Sequence, residues 1–426
     1  MYKKIFLLVC ILTLLSTHNL KADEIGELKE LILKQNQRIQ QLLARVENLE
    51  NKQKRQDKEI EKTVTRLVED KQVSALPDSI KWVENVKWSG DLRYRHESLD
   101  DTDSGSDKRN RNRIRARLGL TAKVNDEWDL GFRLASGSSE SPTSTNETLD
   151  NSFSSKEIWL DLAYADWHPG AYPGLNLFVG KMKNPFYRVG KNQLIWDGDV
   201  NPEGFAATYK FDMNKSTAAT LTGAGFWMEE RSGDADAGYF GTQAMLKHKL
   251  DGDRHLIGGA SYYNIGNIEG KTTPSSVSLK GNTETSSGSG LYEYDFDILE
   301  GFAEYGWKWN GMPVAVFGNY VQNLAAPSDK NTGYTIGLNL NKAKKPGSWQ
   351  FGYSYRDIES DAVFAGLNDS DFIDGGTDGQ GHTFGYKYQL AKNLQAGLTL
   401  FLNDRKRSPD RNEKFERLQA DLIFKF

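Results

Sequence analysis

The sequence predicts an all-β protein, a transmembrane antiparallel β-barrel of about 16 strands carrying an N-terminal α-helical coiled coil. Three observations carry this prediction. The hydrophobic period is 3.5 after residue 22 and becomes 2 beyond Val86. The period-2 segments put rows of charge on one face and apolar side chains on the other. The connections between them alternate between short and long. Composition agrees: 38% hydrophobic residues in 426 is too polar for a bundle of membrane helices, and 40 Gly with 11% aromatics suits many short-turned strands.

Residues 1–22 read as a secretory signal peptide. Lys3 and Lys4 precede the apolar run Ile5 to Leu15, and Ala22 offers a small residue for cleavage. The run is about half the ~20 residues that a spanning helix needs. Cys10, the single cysteine, lies inside it, so the remaining chain has no thiol to cross-link in an oxidising compartment. Losing Lys3, Lys4 and Lys21 leaves 51 basic against 58 acidic residues, a net charge of −7. A strongly basic nucleic-acid binder is thereby excluded.

Residues 23–72 form the expected coiled coil. One seam series is Ile25, Ile32, Ile39, Val46, Gln53, Ile60 and Leu67; the other is Leu28, Gln35, Leu42, Leu49, Gln56 and Thr63. A seam kept in phase for six heptads, about 65 Å of helix, calls for a partner helix, with Ile25, Leu28, Ile32, Ile39, Leu42, Val46 and Leu49 as the apolar oligomerisation seam. The three glutamines leave the strand number open. The pattern stops at Ala75-Leu76-Pro77-Asp78, inside a linker placed at 73–85.

The barrel occupies 86–426. Between Asn112 and Val124, one face carries Ile114, Ala116, Leu118, Leu120, Ala122 and Val124, and the other carries Arg113, Arg115, Arg117, Gly119, Thr121 and Lys123. The charged face needs water and the apolar face needs lipid. The C-terminal stretch repeats the design, with Leu418, Ala420, Leu422, Phe424 and Phe426 opposite Arg417, Gln419, Asp421 and Lys425; Ile423 is the exception. Strands are expected at 87–97, 112–124, 128–136, 156–167, 174–183, 204–211, 217–228, 237–250, 254–264, 298–309, 313–323, 332–341, 349–358, 382–390, 394–403 and 415–426. Tight turns such as Asn125-Asp126-Glu127 and Asn310-Gly311-Met312 alternate with polar stretches at 98–111, 137–155, 184–203, 265–297 and 359–381. Trp128, Tyr164, Trp307, Trp309, Trp349, Tyr388 and Phe426 gather beside the short turns, as an interfacial aromatic girdle would.

These features resemble the putative porin family of Gram-negative outer membranes. The likeness rests on the coiled coil, the Arg113-Ile114-Arg115-Ala116-Arg117-Leu118 strand, Gly180-Lys181-Met182-Lys183-Asn184-Pro185-Phe186, the Trp196 to Gly204 segment and the final Phe. It implies a homotrimeric, water-filled channel in outer-membrane lipid, passing small hydrophilic solutes or ions, with the coiled coil in the periplasm. It also implies that Phe424 and Phe426 form the signal read by the barrel-assembly machinery. A more distant likeness is to phosphate-selective porins, without their specificity.

From the same resemblance, the connection after the fifth strand is expected to fold inward as a constriction. Its charges are Arg188, Lys191, Asp197, Asp199 and Glu203; the facing wall would offer Arg93, Arg95, Arg113, Arg115, Arg117 and Arg133. Opposed charges across a narrow pore set up a transverse field, and the arginine ladder suggests weak anion preference. An alternative is that these arginines brace the wall through Asp91, Asp129 and Asp161. Asp197, Asp199 and Asn201 match the first ligands of a Ca²⁺ loop, but Pro202 replaces its Gly and Thr208 its bidentate Glu. A weaker oxygen site from Asp197, Asp199 and Glu203 is the only metal reading left, so no metal and no cofactor are expected. Gly266 to Thr272 is one residue short of a phosphate loop, the histidines lack ligand spacing and there is no G-x-S-x-G, so no enzyme is expected either. The competing classes are a non-conducting barrel that binds through its loops as an adhesin, and a soluble secreted β-protein recoverable without detergent.

Overall fold

The computed structural model describes residues 30, 33–35, 37–49, 51–55, 58–59, 81–101, 108–138, 141–272, 279–327, 329–408 and 411–426. The signal segment 1–22, the linker residues 73–80 and the seam positions Ile25, Leu28 and Ile32 lie outside these. The chain divides into two units, Met1–Trp82 and Val83–Phe426. In the first, 33–35, 37–49 and 51–55 are helical, and Ile39, Leu42, Val46 and Leu49 are each at least half exposed. That is an apolar stripe on an otherwise charged helix.

The second unit is a closed antiparallel sheet. Its barrel strands, sixteen among the described residues, are β1 (Val86–Asp101), β2 (Arg109–Lys123), β3 (Trp128–Ser136), β4 (Ile158–Trp167), β5 (Leu175–Lys181), β6 (Glu203–Asp212), β7 (Thr217–Glu229), β8 (Ala237–Lys249), β9 (His255–Gly266), β10 (Phe296–Trp309), β11 (Met312–Asn323), β12 (Thr332–Asn341), β13 (Trp349–Ile358), β14 (Gly379–Ala391), β15 (Leu394–Ser408) and β16 (Arg411–Lys425). Each pairs with its neighbours in sequence, and β1 pairs with β16 from Asp91↔Lys425 to Asp101↔Phe415. Closure matters because an unpaired backbone polar group in lipid costs several kcal/mol, so the sheet can have no edge there. The final residue extends the seam: the Phe426 and Gly90 backbones exchange hydrogen bonds at 3.2 Å. A Cβ at Gly90 would stand 2.4 Å from the Phe426 ring, so only glycine lets the terminal aromatic lie across β1.

All sixteen expected strands are present, several longer than the alternation indicated. β1 runs on to Asp101, β15 to Ser408, and β16 starts at Arg411, so the polar stretches there are ladder rather than loop. Polar side chains at the long-loop end do not stop the backbone pairing. A two-residue strand, Glu147–Thr148, pairs with Arg113 and Ile114 where β3 has already diverged from β2.

Outward positions are apolar and exposed, among them Leu92, Leu118, Leu130, Phe132, Val179, Phe205, Leu246 and Leu418. Trp128 stacks on Trp167 with centroids 5.9 Å apart, and Tyr305 on Trp307 at 5.3 Å, both near short turns. Tyr164 departs from the expected girdle. It faces inward opposite Gly131, whose missing side chain leaves room for the ring, and packs with Phe178 at 6.2 Å.

The interior is not evenly open. Residues 182–202, and residues 359–378 with them, turn into the barrel and bury Phe186, Leu194, Trp196, Val363, Phe364 and Phe372 against wall residues such as Phe226, Tyr239, Tyr263 and Phe401. Trp196 sits 4.5 Å from Tyr239 and 6.2 Å from both Phe186 and Tyr263. This apolar mass fills one side, and what stays open is lined by β1, β2, β11–β16 and parts of the two infolded loops.

Candidate functional site

Alternation on β1 and β2 turns Arg93, Arg95, Arg113, Arg115 and Arg117 inward, with Arg93 directly opposite Arg115 in the ladder. Five neighbouring guanidinium groups repel unless acids intervene. Asp91 receives Arg115 Nη2 at 2.8 Å and Arg117 Nη2 at 2.7 Å. Asp421 of β16 receives Arg95 through two parallel bonds of 2.7 and 2.8 Å, the geometry that a planar fork favours. Glu97, fully buried, accepts Arg111 and the Gln419 amide at 3.0 Å, with Arg113 3.8 Å away. On β3, Arg133 bonds Asp161, which also accepts Asn201 Nδ2 at 2.7 Å. The bracing acids are therefore Asp91 and Asp161 as expected from sequence, joined by Glu97 and Asp421. Asp129 pairs with none of these arginines among the described residues.

The loop 182–202 is held at both sides of the lumen. Gln243 of β8 accepts from Tyr187 N at 2.8 Å and donates to Tyr187 O at 3.0 Å. Gly190, left-handed at φ 59°, lies against the Phe317 ring of β11 where any Cβ would collide at 2.4 Å. At the far side Asp199 meets Arg117 at 3.4 Å, Arg115 at 4.0 Å and Thr145 Oγ1 at 3.1 Å. Arg188 donates to Trp196 O at 2.9 Å within the loop.

Three sequence expectations change here. Asp199 touches the arginine wall directly, so it neutralises two arginines instead of facing them across water. Asp197 is buried in a joint between the two infolded loops: its carboxylate accepts Asp199 N at 2.8 Å and Ser370 N at 2.9 Å, while its own N–H donates to Leu367 O at 2.8 Å. Burial, with the charges of Asp369 and Asp199 close by, pushes this carboxyl well above the usual range. Glu203 starts β6 on the outward face, in register with Lys181 and bonded to it at 2.7 Å, because its parity matches exposed Phe205 and Tyr209. With Glu203 outside, Asp197, Asp199 and Glu203 do not converge, and the weak oxygen site they suggested is not formed.

The inward course of 359–378 escaped sequence reading. Asp371 lies 3.3 Å from Arg95 and 2.8 Å from Arg417 of β16. Burial alone would raise its carboxyl, but Arg95 and Arg417, with Gln419, hold it below the usual carboxylate range. Asp374 adds a second bond to Arg417. Asp369 pairs with Arg356 of β13 at 3.1 Å, and the Arg356 guanidinium lies 4.5 Å over the Phe372 ring. Arg356 and Lys387 occupy inward parity positions of strands that the alternation had already placed, so they were readable. The signal for the loop was its run Ala362-Val363-Phe364-Ala365, too apolar for a solvated connection.

Together these parts leave a cavity of about 640 Å³. Its lining includes seven basic side chains, Arg93, Arg95, Arg115, Arg117, Arg356, Lys191 and Lys387, against four acidic ones, Asp197, Asp199, Asp369 and Asp371. Arg113, Arg133 and Arg188 stand outside this lining. No helix among the described residues is long and apolar enough to cross a membrane.

The model of a family described as "Putative porin" matches residues 99–296 and 302–426. No curated protein matches the chain. Among solved structures, OprB of Pseudomonas putida at high pH is similar over 81% of this chain and 95% of its own, at 11% identity and a TM-score of 0.54. OmpF of Salmonella typhi in complex with daunomycin is similar over 80% and 97%, at 12% identity and a TM-score of 0.50. A triple mutant of the Rhodopseudomonas blastica porin covers 80% of this chain and 100% of its own, at 16% identity and a TM-score of 0.44.

Proposed function

Since the chain belongs to the putative porin family, and is thus an outer-membrane channel for passive diffusion of small hydrophilic solutes, we propose that its pore weakly prefers anions. The observation that carries this is the cavity lining, seven basic side chains against four acidic. One of the four, Asp197, is buried with its carboxyl pushed towards the protonated form, which widens the imbalance. The overall charge of −7 expected after signal removal opposes it only weakly, because loop charge is screened over about 8 to 10 Å at physiological salt.

Several finer parts belong to the same proposal. The protein works as a homotrimer, tied by the heptad seam of 23–72, for which the exposed stripe Ile39, Leu42, Val46 and Leu49 is the support. The coiled coil stands in the periplasm, supported by an even strand count that returns both barrel ends to the short-turn side. Phe424 and Phe426 serve as the assembly signal, supported by their exposure on the outward face of the last strand.

The reversal potential of the full chain in a planar bilayer across a KCl gradient tests the central part. A potential displaced towards that of chloride is expected; displacement towards potassium would overturn the anion preference.

A further inference from the structure

Most cations of the constriction are paired with a carboxylate. Arg95 is engaged by Asp421 and Asp371, Arg115 and Arg117 by Asp91 and Asp199, and Arg356 by Asp369. Three that line the same cavity form no close ion pair with a carboxylate among the described residues: Arg93 on β1, Lys191 on the infolded loop and Lys387 on β14. They come from separate elements, and Lys387 feels the like charges of Lys191, Lys425 and Arg93, with Asp421 opposing them. Cations outnumber acids there, so a further anion among them is stabilised.

Two further observations point to a ligand. Arg93 is 8% exposed, its guanidinium donates to Asn146 Oδ1, and its Nε–H is buried without any acceptor. A buried charged donor left without an acceptor is costly. Lys191 is held in the left-handed region at φ 60°, next to Gly190 at φ 59°, by Lys191 N to Arg188 O at 3.1 Å and Asn192 N to Val189 O at 3.0 Å. A non-glycine residue kept there is strained. The strained turn presents the ammonium at the loop tip while Gly190 is wedged on Phe317.

We propose that Arg93, Lys191 and Lys387 form a binding station for a small oxyanion, a carboxylate or phosphate group, within the constriction. A multi-oxygen anion can accept from the Arg93 Nε–H and both ammonium groups at once, which a monatomic ion cannot do with direction. This rests on the channel reading above and deepens it: anions pause at one place instead of only being favoured by the field. Binding has to stay weak enough for release if conduction is to continue.

The experiment is single-channel recording of the full chain in KCl with added inorganic phosphate or, separately, acetate, at constant ionic strength. Chloride current is expected to fall saturably with phosphate, and the Lys191→Gln, Lys387→Gln double variant is expected to raise the half-blocking concentration about tenfold or more. Lys308→Gln, whose side chain lies 3.0 Å from Asp253 near a short turn, removes a lysine charge away from the constriction and should leave it unchanged. Block by acetate as well supports a general oxyanion station; block by phosphate alone supports the station and narrows it to phosphate groups. Chloride current without saturable block, or the same half-blocking concentration in the double variant, would overturn the station and leave the channel intact. Absence of any current would overturn the channel reading and the station with it.

Discussion

Two carboxyl groups in the infolded loops are displaced in opposite directions, and each makes loop docking depend on pH with its own sign. Asp371 is held below its usual value by Arg95 and Arg417. Its contribution is therefore complete above the ordinary carboxylate pKa of about 4 and is lost as pH falls towards the depressed value. Asp197 is raised, so its contribution is complete below about 4 and declines as pH climbs through the raised value. Open-channel current noise should accordingly grow on acidification below about pH 4. Asp371→Asn should show the acid level of noise at neutral pH, whereas Asp197→Asn should remove any growth on the alkaline side. Noise that is flat with pH in the parent chain would contradict both assignments. A simpler residue-scale test concerns closure. Gly90→Val puts a branched side chain where the Phe426 ring and Arg117 O already lie within 2.4 and 2.5 Å, an overpacking that costs about 1–3 kcal/mol. Heat-modified gel mobility of this variant should convert to the unfolded position at a lower temperature than that of the parent.

Among the elements, the constriction loop is clasped to β8 at Tyr187. Gln243 holds Tyr187 by both its amide groups and donates to Ser261 Oγ at 3.0 Å, which in turn donates to Glu300 at 2.6 Å. Gln243→Leu removes that clasp while leaving the β8 ladder whole. The expected result is a larger mean conductance with wider open-state fluctuation, read in single-channel records; unchanged records would show that the apolar packing of Trp196 suffices alone. The strands were legible because a residue's face follows from its own parity, and neighbouring positions on one strand report it. Glu203 was misread for a related reason: counted as loop charge, it begins a strand whose parity sends it outward. The loop 359–378 was illegible because its partners, Arg95, Arg356 and Arg417, come from strands far apart in sequence that meet only on closure. Local polarity described the Asp and Gly residues of that loop correctly and said nothing of the buried arginines waiting for them.

At the scale of the whole molecule, a low hydrophobic fraction and a membrane location are reconciled by the barrel. Outward rows such as Leu118 and Phe132 face lipid, and inward rows such as Arg115 and Arg117 meet water or acids, so half of each span is polar. The interior then does something the wall alone does not. The infolded loops fill one side with aromatic and aliphatic packing, and confine the open passage to the side where arginines and lysines are densest. An off-centre passage with basic lining is the central claim of this account. Planar-bilayer recording of the full chain tests it most directly: discrete current steps that persist in KCl and fall when Lys191 and Lys387 are both changed to glutamate are predicted. Steps that are absent, or that rise with the added acidic charge because potassium carries the current, would contradict it.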